Sequence, residues 1–501
     1  MTGASGDAAG TSWPAHVRWW LLRARLPGPG GYRGEALAVA LVALAALAVV
    51  YPHTPQDVTR ISLSRALVED GSVRLDPYAA TLFDKAEHGG HAYSDKAPGW
   101  SLLAVPWYAL LHALRAAPPA DPAFWYGEGD LPVWALRVLV AGALFLMAVL
   151  AVGRVAERVA PGTGAAAAVL LGLGTLAQPL AASGFGHIAG GAAAFLGFAL
   201  AWRATASGAG PPRAAPLAAA GLALGCAVLL EYQSALLGVL VALYVARRGL
   251  RALAWTAAGA LPAAGVLLAY DAVAFGSPFR LSYRYVANEF AEQQRSGFFG
   301  IGAPDLGTLG HVLGGDRGLL VVSPVLGAAA LGLALLWRRG LRAEAAVCAT
   351  ATALYLVINA GYFLPYGGNS PGPRFFAPAL PFLAVGLAPV LAQRRLRPAV
   401  LALGAVSIVA QTTVSLTWTM AGEAGYGGTV WVELWRSARA LGGGGFGDTL
   451  LVRDMSRSVW SWATGDRILA GGIGLAAGLA ALALTAVLAR RAPEGAAPGI
   501  H

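Results

Sequence analysis

The sequence predicts an all-α polytopic membrane protein of about 12 transmembrane helices, and three observations predict it. Of 501 residues 57% are hydrophobic and 12% charged, and the apolar runs recur too often to be buried in one another, so lipid must be their solvent. The runs are long enough to cross about 30 Å of hydrocarbon. The arginines gather in loops on one side of these runs, the pattern of cytoplasmic loops.

Taken in order, the segment 1–34 carries Arg18, Arg23, Arg25 and Arg33 ahead of an apolar span at 35–51. The arrangement is that of a signal peptide, but the span is long for one and no small-residue cleavage site follows, so it is expected to stay as the first helix. Further spans fall near 132–152, 164–182, 188–202, 214–230, 233–246 and 252–270. The last five fall near 318–336, 344–362, 375–392, 398–417 and 468–489. With this division, one side holds 19 bases and 5 acids and the other 17 bases and 21 acids. Both termini are then cytoplasmic and the loop after the first span is external. The run at 98–115 is apolar enough to be another span. Crossing there would invert every later loop, so it is expected to be re-entrant or to lie at the interface with its Trp and Tyr at headgroup depth. The expected division is a cytoplasmic segment 1–34, a transmembrane domain 35–492 with juxtamembrane helices in its first external loop 52–131, and a cytoplasmic tail 493–501.

Composition also excludes functions. The net charge of +10 does not collect on an amphipathic face with aromatic partners, so no nucleic acid partner is expected. Cys226 and Cys348 each sit in an apolar span far from the other, which supports neither a disulfide framework nor a thiolate metal site. Two lysines against 34 arginines, with abundant Ala and Gly, point to a bacterial source of high GC content, and the spans to its plasma membrane.

The chemistry concentrates in the first external loop. Seven of the chain's 26 acids, Asp57, Glu69, Asp70, Asp76, Asp84, Glu87 and Asp95, lie in its stretch 52–98 beside both lysines. Asp57 opens a stretch with helical apolar spacing at Val58, Ile61, Leu63 and Leu67, an amphipathic surface helix that Asp57 either caps or uses as scaffold for a catalytic carboxylate. In Tyr93-Ser94-Asp95-Lys96-Ala97-Pro98-Gly99 an acid and a base meet a Pro-Gly turn, where a compact lysine suits a phosphate or simply snorkels at a helix start. His187 and Glu231, with Tyr232 beside it, fall at outward ends of apolar hairpins, where an ionisable group is either a site residue or a structural partner. Later external loops add Arg280, Arg284, Asp316 and Arg317, then Arg374 in YGGNSPGPRFFAPALPF. There a Gly-rich loop and one arginine at the mouth of an apolar helix fit a phosphate whose tail lies in lipid, or form a tight turn with a snorkelling arginine.

The early Asp57, Asp95-Lys96-Ala97-Pro98 at the end of the first external loop, FGSPF later on and GGNSPGPRF together resemble the GT-C glycosyltransferases, in particular the protein mannosyltransferase and aminoarabinose transferase branch. The resemblance implies a GT-C-like fold, a polyprenyl-phosphate sugar as donor, Asp57 as catalytic carboxylate, and Asp95 with Lys96 at the lipid-phosphate pocket. It places His187 and Glu231 among the polar site residues. The loop-end motif departs from the family's form by Ala97 between Lys and Pro, and Asp57 has no acidic neighbour. Cofactor use therefore stays open, a divalent metal having Asp95 and His187 as its candidate ligands.

The residues then read as a transferase of hexosyl or pentosyl groups. A carboxylate takes the proton of an acceptor hydroxyl, and Lys96, Arg374 or Arg317 stabilises the departing lipid phosphate. The expected partners are that donor, membrane lipid, and an envelope glycan, lipid or protein as acceptor on the outer face. The alternatives are a lipid or polysaccharide transporter or flippase and a non-enzymatic envelope assembly factor. Transport would line the midplane with charge, whereas here the charges cluster at one face.

Overall fold

The computed structural model of the chain describes residues 29–120, 129–206, 213–418, 428–441 and 457–490. Most of the segment 1–34 and all of the tail 493–501 lie outside the described residues. The fold is helical, and its long helices follow the apolar runs. Among the described residues six of them are long and apolar enough to cross a membrane: Leu131–Val159, Gly186–Thr205, Leu250–Phe275, Arg342–Gly361, Arg397–Thr417 and Arg467–Val487.

The other expected spans are helical but shorter or broken, so the structure supports a polytopic helical membrane fold and not a set of twelve uniform rods. The first is helical over Glu35–Ala46, and the hairpin arms Ala214–Leu230 and Tyr232–Ala246 are likewise short. The breaks follow local chemistry. After Gly164–Leu173, Thr175 Oγ1 donates to the Leu171 carbonyl at 2.6 Å and the helix restarts at Ala177. Leu306–Val322 and Val325–Arg338 meet at 93° across Ser323-Pro324, because proline disfavours helical backbone in the residue before it. Pro381 likewise opens the short helix Leu380–Ala384, and Pro389 lies inside the short helix Leu387–Leu391 that follows.

Helix pairing relies on small residues. Ala214–Leu230 lies against Leu250–Phe275 so closely that a Cβ at Gly221 would overlap the Thr256 carbonyl, and one at Gly259 the Ala218 carbonyl. This is how helices associate where lipid removes the hydrophobic drive.

The first external loop is built on this bundle. The helix Pro55–Arg65 begins at a Thr54 cap with Pro55 at its first turn. It is not the amphipathic surface helix that its spacing suggested. Every residue from Gln56 to Arg65 is buried, and Asp57, Arg60, Ser64 and Arg65 bond to Arg137, the Ala97 carbonyl, the Ser101 carbonyl and Tyr108 respectively. A hairpin pairs Ala86–His88 with His91–Tyr93 across Gly89-Gly90, whose φ of 59° and 80° only a two-glycine turn adopts cheaply. Helix Gly99–Ala113 then buries Trp100, Ala104 and Tyr108 and exposes Leu103, Trp107 and Leu110. A second short pair, Val49–Val50 with Arg457–Ser458, joins the first helix to the last.

Candidate active site

Asp57 receives its partners from two directions. Its Oδ2 accepts from Thr54 N at 2.8 Å and Thr54 Oγ1 at 2.6 Å, while its own N–H donates to Thr54 Oγ1 at 3.3 Å. From helix Leu131–Val159, Arg137 grips both carboxylate oxygens, Nε to Oδ1 at 2.8 Å and Nη2 to Oδ2 at 2.6 Å. Arg137 spends its remaining donors on the carbonyls of Tyr51 and Pro52. A Cβ at Gly184 would overlap Asp57 Oδ1, so this close approach requires glycine. Burial by itself would raise the Asp57 carboxyl, but the Arg137 charge and the hydrogen bonds from Arg137 and Thr54 hold it below the usual carboxylate range. Both oxygens of the expected base are thus committed to a cap and a buried ion pair.

Beside this wall lies a cavity of about 700 Å³, with Lys96 and Arg374 as its cationic lining. The hairpin explains the first group. Its register sets Ala86 opposite Tyr93, and two residues further out the same register sets Asp84 opposite Asp95. Lys96 Nζ sits between them, 2.7 Å from Asp95 Oδ2 and 3.1 Å from Asp84 Oδ2. A third strand-like stretch bridges Val286 to Ala86, and Asn288 from it donates to Asp84 Oδ1 at 3.4 Å. Burial pushes the Asp95 carboxyl up to about 6 against the pull of Lys96. Burial would lower Lys96, but Asp84 and Asp95 hold it above the usual lysine range.

Arg374 is a different cation. Its guanidinium carbon lies 4.4 Å from the Phe185 ring centroid and 5.4 Å from that of Phe375. Its Nε is buried with no hydrogen-bond partner, and among the described residues no carboxylate forms an ion pair with it. His187 lies near the same two rings, 6.3 Å from Phe185 and 4.9 Å from Phe375.

Behind the cavity His187 Nδ1 is 3.0 Å from Glu231 Oε2 and 3.2 Å from Gln233 Nε2. Arg60 Nη2 approaches the same Glu231 oxygen at 3.9 Å, and Tyr283 OH donates to Glu231 Oε1 at 3.3 Å. Tyr232 OH reaches Ser282 Oγ at 3.3 Å, and that hydroxyl donates to the Asp95 carbonyl at 2.8 Å. Arg317 does other work. Its Nη1 donates to the Ser370 carbonyl at 2.7 Å and its guanidinium stacks on Tyr366 and Trp418, which braces the loop carrying Gly367, Gly368 and Asn369 into the cavity wall.

The structure therefore brings Lys96, Asp95 and Arg374 to one cavity, sets His187, Glu231 and Tyr232 just behind it, and places Asp57 in its ion pair with Arg137 and Arg317 against Ser370, Tyr366 and Trp418. No three His, Cys, Asp or Glu side chains gather as a metal set among the described residues. Asp95 and His187 give their near contacts to Lys96 and Glu231 respectively. Sequence reasoning passed over Asp84, Arg60, Arg137, Phe185 and Tyr283. For Arg137 the signal was present, since an arginine inside an apolar span needs a buried acid.

No family model and no curated protein matches the chain. Among solved structures, ArnT from Cupriavidus metallidurans in the apo state is similar with a TM-score of 0.50 at 16% identity, over 93% of this chain and 78% of that one. The chain has the GT-C glycosyltransferase fold. ArnT bound to undecaprenyl phosphate aligns with a TM-score of 0.48 at 15% identity, over the same shares of both chains. Arabinosyltransferase EmbB from Mycobacterium smegmatis aligns with a TM-score of 0.45 at 15% identity, over 96% of this chain and 44% of that one. The chain gathers its cavity where the helices Gly186–Thr205 and Arg374–Ala384 begin and Arg342–Gly361 ends.

Proposed function

We propose that the chain transfers a glycosyl group from a polyprenyl-phosphate-linked sugar to an envelope acceptor at the outer face of the plasma membrane. The observation that carries this reading is Arg374. A guanidinium wedged against two phenyl rings in a cavity wall, with a buried and unpartnered Nε, is a cation without an anion. Burying a charge without a partner is costly, and a phosphate would supply the missing acceptors in bidentate form. Arg374 also opens a short apolar helix, Arg374–Ala384, whose residues from Phe376 on are buried in the bundle, so the cation stands at the end of a fixed element. Lys96 faces the same cavity and is the second phosphate cation, shared with Asp84 and Asp95.

The reaction needs little else. The phosphate leaves the anomeric carbon with the bonding electron pair, and fixed cations stabilise the charge it gathers. His187 packs against the two rings that flank Arg374, and Glu231 holds His187 in turn, so that the pair positions the guanidinium. The test is binding of undecaprenyl phosphate to purified protein, followed by transfer from a panel of radiolabelled polyprenyl-phosphate sugars. Arg374→Ala is expected to weaken undecaprenyl phosphate binding about 10- to 150-fold, the worth of one charge-assisted contact. Unchanged affinity would remove the phosphate from this cavity.

A further inference from the structure

We infer that the acceptor is a saccharide chain, held along a run of aromatic rings that leads from Arg374 to the solvent edge of the cavity. The inference rests on the glycosyl-transfer reading and names the acceptor class that reading leaves open.

The rings follow one another in contact. The Arg374 guanidinium carbon lies 5.4 Å from the Phe375 centroid, Phe375 lies 4.5 Å from Tyr362, and Tyr362 lies 4.6 Å from Phe363. Phe363 is 5.9 Å from Phe290, and Phe290 is 6.3 Å from Phe83. Tyr362, Phe363, Phe290 and Phe83 all line the cavity. They come from three separate segments, and cross-links tie these segments together. Gln294 Nε2 donates to Tyr362 OH at 2.9 Å, and Ala287 N donates to the Lys85 carbonyl at 3.0 Å. Phe290 N donates to Asn288 Oδ1 at 3.0 Å. Phe83 ends the run with 42% of its surface exposed. Alone it would be an ordinary exposed ring, but as the rim of a ring-lined cavity wall it belongs to a ligand surface.

The other lining groups decide what such a wall holds. Its branched aliphatic residues, among the described residues, are Val58, Val286 and Leu364, too few to clothe an isoprenoid tail. Glu289 and Asn369 line the same cavity, both exposed, and among the described residues neither side chain has a hydrogen bond or ion pair. An apolar tail would strip water from both and return nothing. A sugar ring satisfies rings and polar groups together. Its C–H bonds carry slight positive charge and seat on the negative face of an aromatic ring, while the hydroxyls at its edge donate to a carboxylate or pair with an amide. The direction of the run then separates donor from acceptor. The donor's glycosyl group sits next to its phosphate at Arg374, so the far rings, Phe290 and Phe83, are left to a saccharide that enters from solvent.

The test uses the full-length purified protein, with its undecaprenyl phosphate affinity measured first. The protein is then applied to an array of bacterial envelope oligosaccharides free of lipid and protein, and the saccharides it retains are titrated in solution. Retention is expected, with Phe83→Ala and Phe290→Ala each weakening it about 2- to 13-fold, the worth of one aromatic contact, and Phe290→Trp preserving it. Undecaprenyl phosphate affinity is expected to stay unchanged in all three. Should a ring variant fail to accumulate, Glu289→Ala carries the test, since it removes an exposed side chain; a similar loss of saccharide binding is expected, and unchanged binding overturns the inference. Retention of no saccharide by protein that binds undecaprenyl phosphate overturns it too, as do ring variants that bind saccharide like wild type. A fall in undecaprenyl phosphate affinity in the ring variants would assign the rings to the lipid, and a loss confined to the sugar-bearing donor would assign them to the donor's sugar. Either result overturns the acceptor assignment. Wild-type protein that fails to bind undecaprenyl phosphate overturns the transfer reading itself, and that outcome is read before any variant is made.

Discussion

Asp57 shows what a single buried pair contributes. Taking Asp57 as a free base, its amide variant should keep abundance and lose only turnover. The structure predicts otherwise, because Asp57→Asn leaves the Arg137 guanidinium buried at 0% exposure without its counter-charge. Removing one member of a buried pair costs about 3–5 kcal/mol, whereas replacing both by apolar residues is often neutral. Asp57→Asn should therefore lower the melting temperature in detergent strongly, and Asp57→Leu combined with Arg137→Met should recover much of the loss. Equal melting of wild type and single variant would mean that the pair carries no stability. The pH dependence has a definite sign. The folded carboxyl lies below its unfolded value, so its contribution is present above the unfolded pKa and is lost as pH falls through the folded one. A second prediction separates the two cations. Lys96 already has two carboxylates within 3.1 Å, whereas Arg374 has none as an ion-pair partner among the described residues. Titration with undecaprenyl phosphate should show a larger loss for Arg374→Ala than for Lys96→Ala, and the reverse order would put the phosphate at the hairpin. Thr54 three residues before Asp57 made the cap legible, but the ion pair joins residues 80 apart in sequence, which no local pattern reveals.

At the scale of elements, hydropathy located the helices and missed their breaks and their exceptions. The segment 318–336 satisfied a length and composition test, yet Ser323-Pro324 turns it by 93°. Proline's effect on the preceding residue was readable there, and apolar content alone hid it. The hairpin was equally readable in Ala86-Glu87-His88-Gly89-Gly90-His91-Ala92-Tyr93, where two glycines separate short β-compatible runs. An all-α expectation left no place for it, and so Asp84 was not set opposite Asp95. The bent and buried elements form the site, while the straight helices form its scaffold. The scaffold gives its own prediction at the contact of Ala214–Leu230 with Leu250–Phe275. Gly221→Val would drive a branched side chain into the Thr256 carbonyl, at a cost of about 1–3 kcal/mol for overpacking. Thermal unfolding reports it, and Gly238→Val, where a Cβ meets nothing within 4 Å, is the control expected to melt like wild type.

At the scale of the whole molecule, the arginine asymmetry gives an orientation, and the fold supplies the positions at which to test it. The loops rich in arginine and the cavity sit at opposite ends of the same helices. Helix Gly186–Thr205 begins beside His187 and ends near Arg203, and Ala214–Leu230 begins after Arg213 and ends at Glu231. One inside face and one outside face therefore follow from one set of helices, which a random placement of charge would not produce. Cys226 and Cys348 are replaced by alanine first, so that each introduced cysteine reports alone. Glu87 and Arg338 are both exposed, on the hairpin and at the arginine-rich end respectively. Glu87→Cys should react with an impermeant thiol reagent in intact cells, and Arg338→Cys only after lysis. The opposite pattern would invert the protein and move the cavity to the cytoplasm, where a lipid-linked donor facing outward could not reach it. Ala120 then decides the helix Gly99–Ala113, which is 15 residues long and exposes one apolar face. A cysteine at Ala120 that labels in intact cells keeps this helix on the outer side. Labelling there only after lysis would make it a crossing helix, and every loop after it would have to change sides.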